Sequence, residues 1–173
     1  MQLDDFDGAR VEFQGMLARG QRRYAASYYL GQLAEQVGDN ETAIVAYQRV
    51  DRGEFALSAQ IRAAVLVASQ GQMDSARAEL QSLRRKYRSE LVRLYRTEDD
   101  LLARAEDLEG ALAVYDRALL EKPKNTDLLY GRAMVAARAD RVSELERDLR
   151  DILSREPNNA DALNALGYTL ADK

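Results

Sequence analysis

The chain has 173 residues, no Cys and no His, 25 Lys and Arg against 29 Asp and Glu, and a net charge of −4. That length can bury a real core. The missing residue types exclude disulfides, thiolate chemistry, Ser-His and Cys-His nucleophile pairs and most zinc sites. The acidic balance argues against bulk nucleic-acid binding. No apolar run is long enough to span a bilayer, and no signal peptide or lipidation motif is present in this segment.

Ala, Leu, Glu, Arg, Gln and Asp dominate the composition and Pro occurs only at 123 and 157, so the usage is helix-forming. Small residues mark a repeating pattern. One set is Ala9, Ala43, Ala76 and Ala111, continued by Leu145, with spacings of 34, 33, 35 and 34. A second is Gly31, Ala64, Asp99, Ala133 and Gly167, with spacings of 33, 35, 34 and 34. Four residues past each member of the first set stands a large apolar residue, Phe13, Tyr47, Leu80, Tyr115 or Leu149. Three further on comes Met16, Val50, Leu83, Ala118 or Ile152. The spacing within segments is helical, as in Leu145, Leu149, Ile152 and Leu153.

In chain order the pattern predicts one array over 1–173. A second helix stands alone in 1–23. Full helical hairpins cover 24–56, 57–91, 92–125 and 126–159, and the first helix of a truncated repeat fills 160–173. Turns fall at Gly38-Asp39-Asn40-Glu41, Gly71-Gln72-Met73-Asp74, Glu106-Asp107-Leu108-Glu109 and Asp140-Arg141-Val142-Ser143, each expected to cap the next helix. A period near 34 means stacked hairpins, because an isolated hairpin cannot bury both of its apolar faces. The expected fold is all-α, a right-handed superhelical solenoid of antiparallel hairpins. Glu98 and Asp99 break the pattern where an apolar and a small residue are expected, which predicts a register shift or loose packing over 95–102. Leu145 breaks it in the fourth hairpin.

The phrases Leu163, Leu166, Gly167; Ala111, Tyr115, Ala118, Pro123; and Leu30, Gly31, Ala43, Tyr47 resemble the tetratricopeptide repeat family. That resemblance implies a binding scaffold rather than an enzyme, with no cofactor and no metal. A narrower resemblance covers 127–134, 145–153 and 158–172. Those runs look like the C-terminal half of a group of proteobacterial tetratricopeptide outer-membrane lipoproteins. One such lipoprotein is an adaptor that brings substrates to a periplasmic carboxy-terminal processing protease. The implied role is therefore an adaptor at the periplasmic face of the outer membrane, with a protein or peptide partner. The alternative is a regulatory or targeting repeat domain excised from a larger enzyme or cytosolic assembly factor.

The resemblance places the partner on the inner wall, which is built by first helices. The residues expected there are Tyr28, Gln32, Gln36, Ile61, Val65, Arg93, Arg96, Arg104, Tyr130, Met134, Arg138, Asn164 and Tyr168. Aromatic, amide and guanidinium groups suit a bound peptide. Each of those Tyr also reads as ordinary packing. The family's clamp for chaperone C-termini uses Lys and Asn where this chain has Tyr28 and Gln32, so that specialisation is not expected.

A basic run, Arg84, Arg85, Lys86 and Arg88, reads either as an anion-binding patch or as cations complementing a helix C-terminus. The acidic run Glu98-Asp99-Asp100 invites an acid/base or metal reading, but sequence neighbours point different ways around a helix and form no chelate by themselves, so a solvated or locally irregular turn is expected. The ends of the array carry apolar residues without a capping helix. That predicts a chain continuing past Lys173 and weak self-association.

Overall fold

The computed structural model describes residues 3–171; Met1, Asp172 and Lys173, the outer limits of the expected array and of the lipoprotein-like run, lie outside the described residues. Among the described residues there are ten α-helices and no strand. They are α1 (Leu3–Ala18), α2 (Arg23–Gln36), α3 (Asn40–Gln48), α4 (Ala56–Ser69), α5 (Met73–Lys86), α6 (Leu91–Arg104), α7 (Leu108–Glu121), α8 (Thr126–Arg138), α9 (Val142–Arg155) and α10 (Ala160–Ala171). Odd-numbered helices are the expected second helices and even-numbered ones the first helices. The helices form two compact units, one ending at Tyr87 and the other beginning at Arg88.

In the first unit α2 packs between α1 and α3, and α4 between α3 and α5. Its core joins Ala34, Ala43, Ile44, Tyr47, Val50, Ala59, Ala63 and Leu66. Ala43 is fully enclosed, which lets α2 and α3 approach closely. The ring of Tyr47 lies flat over Gly31, where any Cβ would sit 2.7 Å from ring carbons. Only glycine fits that crossing.

In the second unit each helix from α6 to α10 packs on the next, and α6 also touches α8. Ala111, Val114, Ala118, Leu128, Ala133, Leu149 and Ile152 are fully enclosed. Burying one Leu or Ile side chain in this way stabilises the fold by about 1.5–3 kcal/mol. Helix α6 runs unbroken through 95–102, so the expected register shift does not occur. Instead Glu98 is buried and pairs with Arg117 at 3.3 Å, and Asp99 accepts a hydrogen bond from the Tyr115 hydroxyl at 2.8 Å. Polar pairing does there what a small residue does in the other hairpins. Leu145 is accommodated inside the core at 4 % exposure.

The turns follow one backbone recipe. Gly38, Gly71, Glu106 and Asp140 all have positive φ, at 81°, 83°, 57° and 57°. The next residue supplies a side-chain cap in two of these turns. Asp39 accepts from the Thr42 amide at 3.1 Å and Asp107 from the Gly110 amide at 2.8 Å. Gln72 and Arg141 make no such bond. The two prolines open a related device: Asn125 and Asn159, each two residues on, accept from the amides of Leu128 and Ala162 at 3.0 Å and cap α8 and α10.

Candidate functional site

Side chains of α6 and α8 enclose a groove of about 300 Å³ in the second unit. Arg96 and Asp100 come from α6, and Tyr130, Met134 and Arg138 from α8. Tyr130, Met134 and Arg138 follow one another at helical spacing of four residues, so they share a face. Asp99 and Tyr115 form the floor, and Asp127 and Asp161 stand at the end where α8 and α10 begin. Gly131 makes way for Tyr115, because a Cβ there would run into the hydroxyl end of that side chain.

Burial dominates the electrostatics of the floor. Desolvation raises the Asp99 carboxyl above the usual carboxylate range, partly opposed by the Tyr115 hydrogen bond. Burial and the neighbouring Asp99 charge also push the Tyr115 phenol up. One Asp99 oxygen, Oδ1, is shielded from solvent and has no hydrogen-bond partner.

A shallower concavity in the first unit is lined by Tyr28, Gln32, Glu35, Gln36, Tyr47 and Arg62. Tyr28 stacks on Phe55 with ring centres 4.6 Å apart, and its hydroxyl accepts from Gln32 Nε2 at 3.3 Å. Tyr47 donates to Glu35 at 2.9 Å, and Arg62 pairs with the same carboxylate. Burial pushes the Tyr47 phenol up to about 12.

The expected wall is therefore divided. Arg96, Tyr130, Met134 and Arg138 converge on one groove, and Tyr28, Gln32 and Gln36 share the other concavity. Arg93 is exposed and joins Arg96 along a third, shallow depression beside Ser89 and Thr97. Ile61 does not face a wall. It lies three residues before Ala64, on the same helical stripe, and is 8 % exposed in the core. Val65 is half-buried, and Arg104 lies exposed in the last turn of α6, outside the groove lining. Asn164 and Tyr168 are exposed on α10 and also lie outside the lining, well round the helix from the fully enclosed Ala162.

Within the first unit the basic run is broken up. Arg84 is 7 % exposed because it stands four residues past Leu80, on the buried stripe of α5. Arg85 is exposed, and Lys86 donates to the Asp51 carbonyl at 3.2 Å. Arg88 belongs to the other unit and pairs with Glu121 at 2.9 Å. The acidic run is no irregular turn either: its three carboxylates sit on regular helix, with Glu98 buried, Asp99 half-buried and Asp100 exposed. Sequence reading missed Asp99, Tyr115 and Gly131 as site residues. The available signal was Asp99 itself, an acid where the repeat calls for a small residue.

Comparison with known proteins agrees with the helical hairpins. A family model described as tetratricopeptide repeat matches residues 1–56 and 100–144, more than half of the chain. The TPR repeat-containing protein PA4667 of Pseudomonas aeruginosa is 37% identical over 149 residues, which are 86% of this chain and 25% of that protein. The chain thus spans about a quarter of that relative's length. A tetratricopeptide repeat protein from Parabacteroides merdae superposes with a TM-score of 0.61 at 16% identity, over 86% of this chain and 59% of that one. YrrB, described as a TPR protein with an unusual peptide-binding site, superposes with a TM-score of 0.54 at 19% identity, over 92% and 82%. With helical hairpins at a period near 34 and a matching family model over most of its length, the chain belongs to the tetratricopeptide repeat family.

Proposed function

We propose that the chain is a non-catalytic adaptor that holds a peptide segment of a partner protein in the groove between α6 and α8. The observation that carries this reading is the convergence of Tyr130, Met134, Arg138 and Arg96 on one concave surface. Tyr gives rigid contact area, Met adapts to irregular shapes, and the guanidinium groups can take backbone carbonyls or carboxylates. The peptide-binding site named for YrrB supports the same reading.

The finer role rests on the lipoprotein-like runs at 127–134, 145–153 and 158–172. It is an adaptor at the periplasmic face of the bacterial outer membrane that recruits a carboxy-terminal processing protease and its substrates. Two experiments separate the levels. Tyr130→Ala combined with Arg138→Ala should weaken binding of a peptide partner at least tenfold and leave circular dichroism and melting temperature unchanged. Unaltered binding would move the site off this groove. Capture of a purified carboxy-terminal processing protease by the wild-type chain, lost in the same double variant, tests the adaptor role. No capture by the wild type would reject it and leave the groove reading standing.

A further inference from the structure

Two hairpins solve the same electrostatic problem differently. Tyr47 and Tyr115 hold equivalent places, each four residues past the alanine of its hairpin contact. Each donates its hydroxyl to a carboxylate on the first helix of its own hairpin, Glu35 or Asp99. In the first case Arg62, on the next first helix, pairs with the carboxylate. Arg62 stands two residues before Ala64. The matching position in the second unit, two residues before Ala133, is Gly131. No guanidinium can arrive from there.

The consequences are visible at the site. Asp99 Oδ1 is enclosed and unpartnered. Leaving a buried acceptor without a donor is costly, more so when it is charged. The place of a Cβ at 131 is taken by the Tyr115 hydroxyl, so position 131 offers the groove only its backbone and no competing cation. Four acids, Asp99, Asp100, Asp127 and Asp161, line that groove against two bases, Arg96 and Arg138. Neither base bonds to Oδ1. The terminal torsion of an aspartate is soft, so a small turn presents Oδ1 to the cavity.

We infer that the groove takes a lysine or arginine side chain from the peptide it binds, with the cation's N–H groups donating to the Asp99 carboxylate at the groove floor. The incoming cation then does from outside what Arg62 does from within the chain at Glu35. The inference deepens the peptide-groove reading and rests on it.

Acetylated, fluorescein-labelled nonapeptide pools test it, random except for a central Lys, Arg, Glu or norleucine. Acetylation removes the competing N-terminal ammonium. Fluorescence anisotropy with the full chain should show the Lys and Arg pools binding at least tenfold tighter than the other two. Asp99→Asn should erase that preference, leave norleucine-pool binding unchanged and keep the wild-type circular dichroism. Asp74→Asn, exposed and outside the groove lining, should change the preference less than twofold. Equal binding of all pools, tighter binding of the Glu pool, or a preference that survives Asp99→Asn would overturn the cation reading. If Tyr130→Ala still weakens every pool in that event, the peptide groove survives. No binding by any pool would overturn both.

Discussion

Asp148 is 1 % exposed, and Arg132 grips it through two bonds, Nε to Oδ2 at 2.7 Å and Nη2 to Oδ1 at 2.8 Å. Arg147 adds a third at 3.1 Å, and Arg132 also reaches Asp116 at 2.6 Å. Those bonds raise the affinity of the Arg132 guanidinium for its proton. Breaking such a pair from one side leaves a buried charge uncompensated. Arg132→Ala should therefore cost about 3 kcal/mol in urea unfolding, and Arg132→Met with Asp148→Leu much less than that single change. If the double variant is as unstable as the single one, the pair is a source of net stability. Asp99 has the opposite balance. Its folded-state carboxyl holds a proton to higher pH than in the unfolded chain. The native state then binds more protons over a window above the ordinary carboxylate pKa, near 4, and stability contributed at Asp99 is lost as pH rises through it. Asp99→Asn should raise the urea midpoint at pH 7, by about 1 kcal/mol or less, and the gain should vanish toward pH 3. A gain independent of pH would place the effect in packing.

At the scale of the element, the close hairpin contact has a direct internal control. Ala111 is fully enclosed where α6 meets α7, and Ala113 on the same helix is exposed. Ala111→Leu should cost about 1–3 kcal/mol by overpacking, and Ala113→Leu within about 0.5 kcal/mol of nothing, both read from urea midpoints. Equal midpoints would contradict the assignment of the contact. The helices were legible because small and large residues recur at fixed intervals through every repeat. Arg96, Tyr130, Met134 and Arg138 were legible for the same reason, since the repeat fixes which face of α6 and α8 is concave. Ile61 was misplaced because the repeat register set it on the concave face while its spacing from Ala64 puts it on the buried stripe, and Arg84 because its charge suggested surface while its spacing from Leu80 puts it inside. Asp99 was unreadable as a site residue, because its role depends on Tyr115 and Gly131, which lie 16 and 32 positions away in the chain.

At the scale of the molecule, the charged surface is interrupted at α10. Leu163, Tyr168 and Leu170 are 48, 77 and 50 % exposed there, and Leu120 is 83 % exposed on α7. Apolar groups in such numbers on one helix favour association. Leu163→Ser with Tyr168→Ser should reduce concentration-dependent light scattering and leave the melting temperature within about 2 °C of the parent, because neither side chain is in the core. A large loss of stability would mean that those residues pack in solution.

The turns carry a consequence for how a molecule of this kind can change length. Gly38, Gly71, Glu106 and Asp140 hold one left-handed residue each, at intervals of 33, 35 and 34. Two of the four are not glycine, although that conformation costs a side-chain-bearing residue about 1–2 kcal/mol. The backbone thus returns to the same shape at each of these points, whatever residue occupies it. Segments cut at two such points end in matching joints, like links of one gauge. Duplication, deletion or exchange of a whole link between chains of this kind preserves every joint. Recombination can therefore shuffle the segments between turns, and with them their concave surfaces, without inventing a new connection.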